Sequence, residues 1–293
     1  MIQEEITIQS LAESEDIQIG YSDNDIVIVD SIQKFAEINA AQVSMNAFVI
    51  CTQGRVQGRM NGQKMELEKN QVAVFPPNIM IADVMVSPDF DMKAMFLTNR
   101  ILHSFLREKM NLWNEVVYIQ RQHIVEMNDD DILFYSYFYD MLKLAIDKGQ
   151  DNPYRTDIIQ SLLRSAILAL CGTLKMRLAA TENVPNGSVT SSHFQRFLDL
   201  LNKTKVKHRS VDSYAAELCI SPKYLSVICK KKSGKTANEW ITEHVLDDIR
   251  FYLKQTDYSI KQVCDRLGFP NPSFFGKYVK QHFGTTPMQF RKL

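Results

Sequence analysis

Val211-Asp-Ser-Tyr-Ala-Ala-Glu-Leu-Cys-Ile-Ser-Pro-Lys-Tyr-Leu225 and Ile260-Lys-Gln-Val-Cys-Asp-Arg-Leu-Gly-Phe-Pro-Asn-Pro-Ser-Phe-Phe275 are two copies of one pattern of apolar, small and turn-forming residues. In the first half of the pattern, equivalent residues lie 49 positions apart, as Ala215 and Cys264 do (264 − 215 = 49). In the second half they lie 50 apart, up to Gly234 and Gly284 (284 − 234 = 50). One residue is therefore inserted in the second turn.

Each copy has the residues that two helices joined by a tight turn require. A small residue, Ala215 or Cys264, allows the first helix to approach the second closely, and Gly268 supplies an open backbone conformation at the turn. Pro222 and Pro272 stand where a helix begins, because proline's missing N–H is not needed there. The glycines that end the copies stand where the second helices should stop. A single copy fits an ordinary helical hairpin equally well, but two copies with matching turns and stops favour a device that grips DNA in successive major grooves.

Charge is divided unevenly along the chain. Its 293 residues are neutral overall, with 34 Lys/Arg and 34 Asp/Glu. Residues 203–293 contain 17 basic and 8 acidic residues, a net of +9, so residues 1–202 have a net of −9. A basic segment of this kind is expected in a nucleic-acid-binding domain. Two clusters would place positive charge near phosphates, unless they form solvated helix faces: Lys203, Lys205, Lys207 and Arg209, and Lys230, Lys231, Lys232 and Lys235.

The region from about residue 193 to residue 293 resembles the DNA-binding domain of the AraC/XylS family of bacterial transcription regulators. The resemblance is strongest in the second copy and its tail, at Ser259-Ile260, Leu267-Gly268-Phe269, Ser273-Phe274-Phe275, Lys280, Phe283-Gly284, Pro287 and Phe290-Arg291. It implies an all-α domain in which two helix-turn-helix units are joined by one long helix. Ala237 to Gln255 fits that helix, with Val245 and Ile249 standing where the family more often has Arg and Ala.

The resemblance also transfers the family's base-reading positions to this chain. In the first recognition helix they are Lys223, Tyr224, Ser226, Val227 and Lys230, and in the second Pro272, Ser273, Phe274 and Lys277, with Lys280 nearer the DNA backbone. Lys223 or Lys277 could donate to guanine, and Val227 could contact a thymine methyl group. Phe274 is expected to pack more than to read bases.

The N-terminal two-thirds predicts a sheet followed by helices, so the fold class of the whole chain is α+β. Residues 18–97 contain short β-rich runs, including a hairpin signal at Asn61-Gly62 and a strand end at Pro76-Pro77. This rhythm resembles the cupin-like β-barrel that precedes many AraC-type domains. We therefore predict a sensing and dimerisation domain over residues 1–178, with helices over 98–178, a linker over 179–192 and the DNA-binding domain over 193–293.

The sequence also predicts a ligand pocket inside the barrel. Its proposed lining is Phe48, Arg55, Arg59, Phe75 and Met80, in which either arginine could pair with an anionic ligand. The alternative is that both arginines are exposed on a hairpin. None of the six histidines falls in the strand region, so no metal site, no cofactor and no catalytic residues are predicted.

The helices after the barrel are predicted from their apolar spacing. Residues 132–142 are apolar nearly all round, so we expect them to be buried between neighbours. Residues 154–176 carry an apolar stripe that would either dimerise, as the family's helices do, or cover the barrel: Ile159, Leu162, Leu163, Ala166, Leu170 and Leu174.

The remaining features indicate the compartment. Five cysteines without a Cys-x-x-Cys spacing suit a reducing environment and buried, inert thiols. The first residues lack the pattern of a signal peptide, and the apolar run at residues 166–171 is too short to span a membrane. A cytoplasmic location without membrane association is therefore expected.

Together these features predict a sequence-specific, non-enzymatic transcription regulator that binds double-stranded DNA. It is expected to be a homodimer, to contact RNA polymerase as the family does, and to respond to a small-molecule effector. Gating by a protein partner and either direction of regulation, activation or repression, stay open. The alternative from another class is a cupin-like enzyme that processes a carbohydrate or small acid and carries an accessory DNA-binding domain.

Overall fold

The computed structural model describes residues 4–14, 17–32, 40–114, 117–118, 123–149, 151–181, 189–204, 206 and 210–292. Internal contacts divide the chain into two units, Met1–Asn183 and Val184–Leu293. The first unit contains the strands and the second is helical, so the chain has a mixed α+β fold. The division between the units falls inside the predicted linker, whose residues 182–188 lie outside the described residues.

Within the described residues, the first unit contains strands that form two sheets. One sheet has the order β1-β4-β9-β6-β7, from β1 (Glu4–Ile6), β4 (Ala40–Val43), β9 (Ile79–Val86), β6 (Arg55–Met60) and β7 (Gln63–Glu68). The other has the order β11-β8-β5-β10-β3-β2, from β11 (Ile124–Glu126), β8 (Gln71–Phe75), β5 (Asn46–Gln53), β10 (Asp91–Leu97), β3 (Ile26–Ile32) and β2 (Ile17–Ser22). All pairs are antiparallel except β1 with β4.

Strand alternation divides the apolar residues of β5 between two layers. Ala47 and Val49 belong to the core between the sheets, together with Leu67 and Ile81 from the other sheet. Because successive side chains of a strand point to opposite faces, Phe48 turns away from this core. The predicted hairpin at Asn61-Gly62 connects β6 to β7, and both of its turn residues have positive φ, as a tight hairpin turn requires.

Helices of the first unit lie beside and after the strands. They are α1 (Ile8–Ala12), α2 (Asn99–Leu106), α3 (Met110–Asn114), α4 (Asp129–Lys148) and α5 (Arg155–Thr181), with a short 3-10 turn at Arg107–Lys109. The apolar pairs Ile101-Leu102 and Phe105-Leu106 of α2 are buried. The predicted change from strands to helices near residue 98 is confirmed, except that β11 adds a strand to the sheet beyond it. Its three residues pair with β8, a partner distant in sequence that local periodicity cannot reveal.

The expectation that residues 132–142 are buried between neighbours is wrong for one face of α4. Leu133, Phe134, Tyr137 and Met141 are exposed in this chain, whereas Leu142 is buried. Only one side of the helix contacts the rest of the unit, so a sequence that is apolar nearly all round leaves an apolar surface uncovered.

Helix α5 uses its apolar stripe inside the unit. Ile159, Leu163, Leu170 and Leu174 are all buried. This placement favours the alternative in which the stripe covers the strands. The segment Arg155–Met176 is also long and apolar enough to cross a membrane, with a hydropathy of 1.4 and 44% of its most apolar window buried. The run at residues 166–171, which is too short to span a membrane, is only part of this helix. The core helix of a soluble protein can have the same length and apolar composition.

The second unit consists of helices within its described residues. They are α6 (Val189–Lys203), α7 (Val211–Glu217), α8 (Pro222–Ser233), α9 (Ala237–Gln255), α10 (Ile260–Arg266), α11 (Pro272–Phe283) and α12 (Pro287–Lys292). The predicted long helix from Ala237 to Gln255 is confirmed. Its stripe of Ile241, Val245, Ile249 and Leu253 is buried, so the two unusual aliphatic residues of this helix belong to the core.

Candidate nucleic-acid interface

Two helical pairs carry the repeated pattern: α7 with α8 is the first pair, and α10 with α11 is the second. In each, the turn closes through the same backbone hydrogen bond, because Ile220 N–H donates to Ala215 O at 3.0 Å and Phe269 N–H donates to Cys264 O at 3.1 Å. Ala215 and Cys264 are fully buried. The requirement for a small residue at this position is therefore a packing requirement in both pairs.

The second helix of each pair begins with the same cap. Ser221 Oγ accepts from Tyr224 N–H at 3.1 Å, and Asn271 Oδ1 accepts from Phe274 N–H at 2.8 Å. A proline follows each cap residue in the first turn, as the sequence predicts. Both helices end at a left-handed glycine, Gly234 or Gly284, whose N–H donates to the carbonyl of Lys230 or Lys280 at 2.9 Å.

The predicted base-reading positions of α8 lie on one exposed side of that helix. Lys223, Tyr224, Val227 and Lys230 are exposed, and Ser226 is half-buried. The opposite side packs into the unit through Leu225, Ile228 and Cys229, which are buried. The helix therefore presents polar and apolar groups of different sizes to solvent while its own position is fixed by the core.

Helix α11 repeats this arrangement. Pro272, Ser273, Phe274, Lys277 and Lys280 are all exposed. Phe275 and Val279 are buried on the other side of the helix. The Phe274 ring lies 6.2 Å from the Phe269 ring yet keeps 46% of its surface exposed, so it both packs at the turn and remains open to a partner.

One member of the predicted basic clusters cannot contact a phosphate. Lys235 is buried, and its Nζ donates to both carboxylate oxygens of Glu243 at 2.7 and 2.8 Å. The prediction for Lys235 is therefore wrong, because its charge is already neutralised inside the unit. Lys230 and Lys231 are exposed on α8, whereas Lys205, Lys207 and Arg209 lie outside the described residues.

The five residues predicted to line a ligand pocket are not brought together. Phe75 contributes to the core between the sheets, whereas Phe48 lines a separate cavity beneath α4 and α5. Arg55 and Arg59 are exposed on the β6–β7 hairpin, near Glu66 at 3.8 Å and Asp83 at 3.1 Å. Met80 is half-buried on β9. The arginines thus match the alternative reading, in which both are exposed on a hairpin.

The cavity beneath α4 and α5 has no signal in the sequence. It has a volume of about 100 Å3, and Lys93, Tyr135 and Tyr139 are polar residues among its lining. These residues come from β10 and α4, whose local patterns do not indicate that they meet. Among the described residues, no group of three or more His, Cys, Asp or Glu side chains could hold a metal ion.

Four of the five cysteines are buried, and Cys219 is exposed. Burial raises the pKa of the Cys171 and Cys229 thiols to about 12. These two thiols are therefore unreactive near neutral pH, as the sequence predicts, whereas the expectation of burial is wrong for Cys219.

Comparison with known proteins identifies the second unit. A helix-turn-helix domain family matches residues 214–293. The regulatory protein PocR of Salmonella typhimurium is 30% identical over 82 residues, and the arabinose operon regulatory protein of the same organism is 26% identical over 84 residues. Residues 214–293 are therefore similar to the helix-turn-helix domain of AraC-type regulators. The match spans 28% of this chain and 27% of PocR, and 29% of this chain and 30% of the arabinose regulator.

A longer similarity links this chain to the Msm operon regulatory protein of Streptococcus mutans, at 22% identity over 137 residues. That match spans 47% of this chain and 49% of the relative. Among solved structures, an AraC-type regulator from Chromobacterium violaceum is 23% identical, covers 36% of this chain and 95% of its own, and has a TM-score of 0.30. Fatty-acid-bound ToxT from Vibrio cholerae is 13% identical, covers 92% of this chain and 95% of its own, and has a TM-score of 0.37.

Proposed function

We propose that this chain is a sequence-specific, DNA-binding transcription regulator rather than an enzyme. In this proposal both helical pairs are helix-turn-helix units, and α8 and α11 enter successive major grooves of one duplex. The observation that carries it is the repeated exposed side of α8 and α11. Each helix is held by an equivalent turn, side-chain cap and terminal glycine, on a unit with net positive charge. The match of residues 214–293 to a helix-turn-helix domain family, and the similarity to the regulatory protein PocR, support the same function.

The exposed lysines would have different tasks according to their place on the helix. Lys223 and Lys277 project from the part of each helix that a major groove admits, where an ammonium group can donate to guanine O6 or N7. Lys230 and Lys280, near the helix ends, would contact phosphates and set the register of the protein on DNA. Val227 and Phe274 offer apolar surface that suits a thymine methyl group.

The first unit would supply control and dimerisation. Its two sheets with a shared apolar core support the proposal of a cupin-like barrel that senses an effector. Effector binding would act by favouring one arrangement of the protein over another, which alters how the DNA-binding helices are presented to DNA or to RNA polymerase. A cytoplasmic location follows from this proposed role.

Helix α4 is the surface that we propose for homodimerisation. Its exposed residues Phe134, Tyr137, Met141 and Leu144 follow a spacing of three, four and three residues, which is the spacing of a helix–helix seam. Most of the α5 stripe is buried within the unit, at Ile159, Leu163, Leu170 and Leu174, so we do not assign the dimer contact to it. A second copy of α4 would cover apolar surface that solvent otherwise contacts.

The sequence of α4 is self-complementary when a second copy runs antiparallel. Placing Tyr137 opposite Met141 of the second copy also places Phe134 opposite Leu144 and Asp130 opposite Lys148, since each pair is symmetric about residue 139. Asp130 and Lys148 are both exposed. A two-fold symmetric interface repeats each contact twice, so apolar pairs would fill the centre and opposite charges would close both ends.

The function is tested with the full chain and a pool of randomised DNA duplexes. We expect selection to enrich one sequence, and footprinting to show two protected major-groove segments about 10–11 base pairs apart per protomer. Lys230→Ala/Lys280→Ala should bind the enriched duplex more weakly, whereas Lys64→Ala, an exposed lysine on the β6–β7 hairpin, should bind as the parent does. Failure to enrich any sequence, with retention of the folded state, would contradict the proposal.

A further inference from the structure

Helices α8 and α11 carry an aromatic ring at the same place in their first turns. Tyr224 of α8 and Phe274 of α11 are equivalent residues, 50 positions apart (274 − 224 = 50). The backbone N–H of each donates to the cap residue of its helix. Both side chains are exposed. The first residues of a helix that enters a major groove are those that contact base edges, so the orientation of each ring matters for reading DNA.

The second helical pair supports its ring from within its own turn. The Phe269 ring lies 6.2 Å from the Phe274 ring, and Phe269 is itself buried with its ring 5.0 Å from that of Phe275. In the first pair the residue equivalent to Phe269 is Ile220 (269 − 220 = 49), which is half-buried and has no ring. The first turn therefore cannot give Tyr224 the ring contact that the second turn gives Phe274.

A histidine outside the first pair supplies this contact instead. The ring of His193, on α6, lies 6.3 Å from the Tyr224 ring at an interplanar angle of 71°, which is an edge-to-face arrangement that aromatic pairs favour. Within the described residues, His193 provides the one ring that pairs with Tyr224, and the Tyr224 hydroxyl makes no hydrogen bond. The hydroxyl is thus available to DNA, while the position of its ring depends on His193.

The core of the unit holds α6 in place next to His193. Phe194 and Phe197 of this helix are fully buried. The Phe194 ring lies 6.1 Å from the ring of Trp240 on α9, and the Phe197 ring lies 5.7 Å from the ring of Tyr214 on α7. Because His193 directly precedes Phe194, its backbone is fixed by contacts with helices other than α8. His193 can therefore act as a support for Tyr224 that does not move with the Tyr224 side chain.

We propose that His193 is a positioning residue for base recognition, which fixes the orientation in which the Tyr224 hydroxyl meets a base edge. The inference rests on the proposed function, in which α8 enters a major groove. A tyrosine hydroxyl both donates and accepts hydrogen bonds, so the orientation of its ring decides which base edge it pairs with. The sequence preference of the first pair then depends on a residue of α6, whereas the second pair carries its own support in Phe269.

A double-mutant cycle with the full chain tests this role. Discrimination is measured as the ratio of dissociation constants for a duplex substituted at one base pair and for the selected duplex. Tyr224→Ala should lower this ratio about tenfold at one base pair, and His193→Ala about threefold at the same base pair. His193→Ala/Tyr224→Ala should lower it no further than Tyr224→Ala alone, because the support acts only through that ring. His193→Phe keeps a ring at the contact, so it should retain the ratio within about twofold.

A second cycle, between His193→Ala and Phe274→Ala, is the matched control. Its two effects should be independent, since Phe274 has its own support. The inference is overturned if His193→Ala weakens binding to every duplex equally, if it keeps full discrimination at the base pair that Tyr224 reads, or if its effect is independent of Tyr224. These outcomes, with a duplex that the parent selects, reject the role of His193 alone. Failure of the parent to select any duplex rejects the proposed function, and the role of His193 with it.

Discussion

Cys219 and Gly268 occupy the same left-handed position in the turns of the two helical pairs, with φ of +56° and +74°. The residues are 49 positions apart, the offset of the first half of the repeat. Their surroundings differ, because a Cβ built on Gly268 would lie 2.2 Å from Val206 Cγ1. The second turn therefore requires glycine for two reasons, whereas the first tolerates a side chain at a conformational cost.

Replacing these residues should have opposite effects on stability. Cys219→Gly removes a left-handed strain of roughly 1–2 kcal/mol but adds chain entropy to the unfolded state, so we expect a net gain of up to about 1 kcal/mol. Gly268→Ala should cost about 2 kcal/mol or more, since it adds strain and crowds Val206. Urea unfolding of the full chain checks both, with Trp113→Phe as background so that Trp240 alone reports on the second unit. Cys219→Ala is the control for loss of the thiol, and a gain equal to that of Cys219→Gly would contradict the role of backbone strain.

Substitution of Lys235 should change the stability of the second unit, whereas substitution of Lys230 should change only its affinity for DNA. Lys235→Ala leaves the Glu243 carboxylate without its partner, so we expect the second unit to lose about 2 kcal/mol of its free energy of unfolding. Lys230→Ala should leave stability unchanged and reduce the slope of log affinity against log salt by about 1, the effect of one lost phosphate contact. Lys235→Met/Glu243→Leu should recover most of the stability, because the buried charge is removed together with its partner. A stable Lys235→Ala protein with a reduced salt slope would show that Lys235 contacts DNA instead.

Lys223 and Lys277 should each determine preference at one place in the DNA site. Lys223→Ala is expected to relax discrimination by about 1–3 kcal/mol at one base pair, and Lys277→Ala at a different base pair about one helical turn away. Competition binding with duplexes substituted at single positions measures both effects, and Lys64→Ala serves as the control. If Lys223→Ala lowers affinity equally for every duplex, the residue contacts the backbone and does not read a base.

Charge exchange tests the antiparallel register proposed for α4. Asp130→Lys alone and Lys148→Asp alone would each place like charges at both ends of the interface, so each should weaken the dimer about threefold to tenfold at low salt. The double variant Asp130→Lys/Lys148→Asp should restore the parent's dissociation constant, measured by sedimentation equilibrium of the full chain. Tyr137→Glu should abolish dimerisation by placing a charge at the apolar centre. If the double variant is weaker than either single variant, the two residues do not face each other and the register is wrong.

Local patterns predicted the second unit because its helices depend on neighbours in sequence. Proline at the first turn, Ser221 or Asn271 as the cap, and glycine at the end are each satisfied within a few residues of where they stand. The apolar stripe of α9 could likewise be recognised in the sequence, because its residues recur at regular spacing along one helix. The exposed positions on α8 and α11 follow from these helices, because the buried residues between them fix which side faces the core.

Contacts between segments that are distant in sequence determined the features that local patterns did not predict. Phe48 and Phe75 both looked suitable for one pocket, yet β5 and β8 direct them to opposite sides of a sheet. In the sequence, Lys235 looks like its exposed neighbours. In the structure, Glu243 of the next helix neutralises the charge of Lys235. The amino-acid sequence alone was thus enough to predict the repeated helices, because their hydrogen bonds are local. The α4 surface, the buried lysine and the cavity with Lys93 and Tyr135 depend on which distant segments meet, and only the tertiary structure determines that.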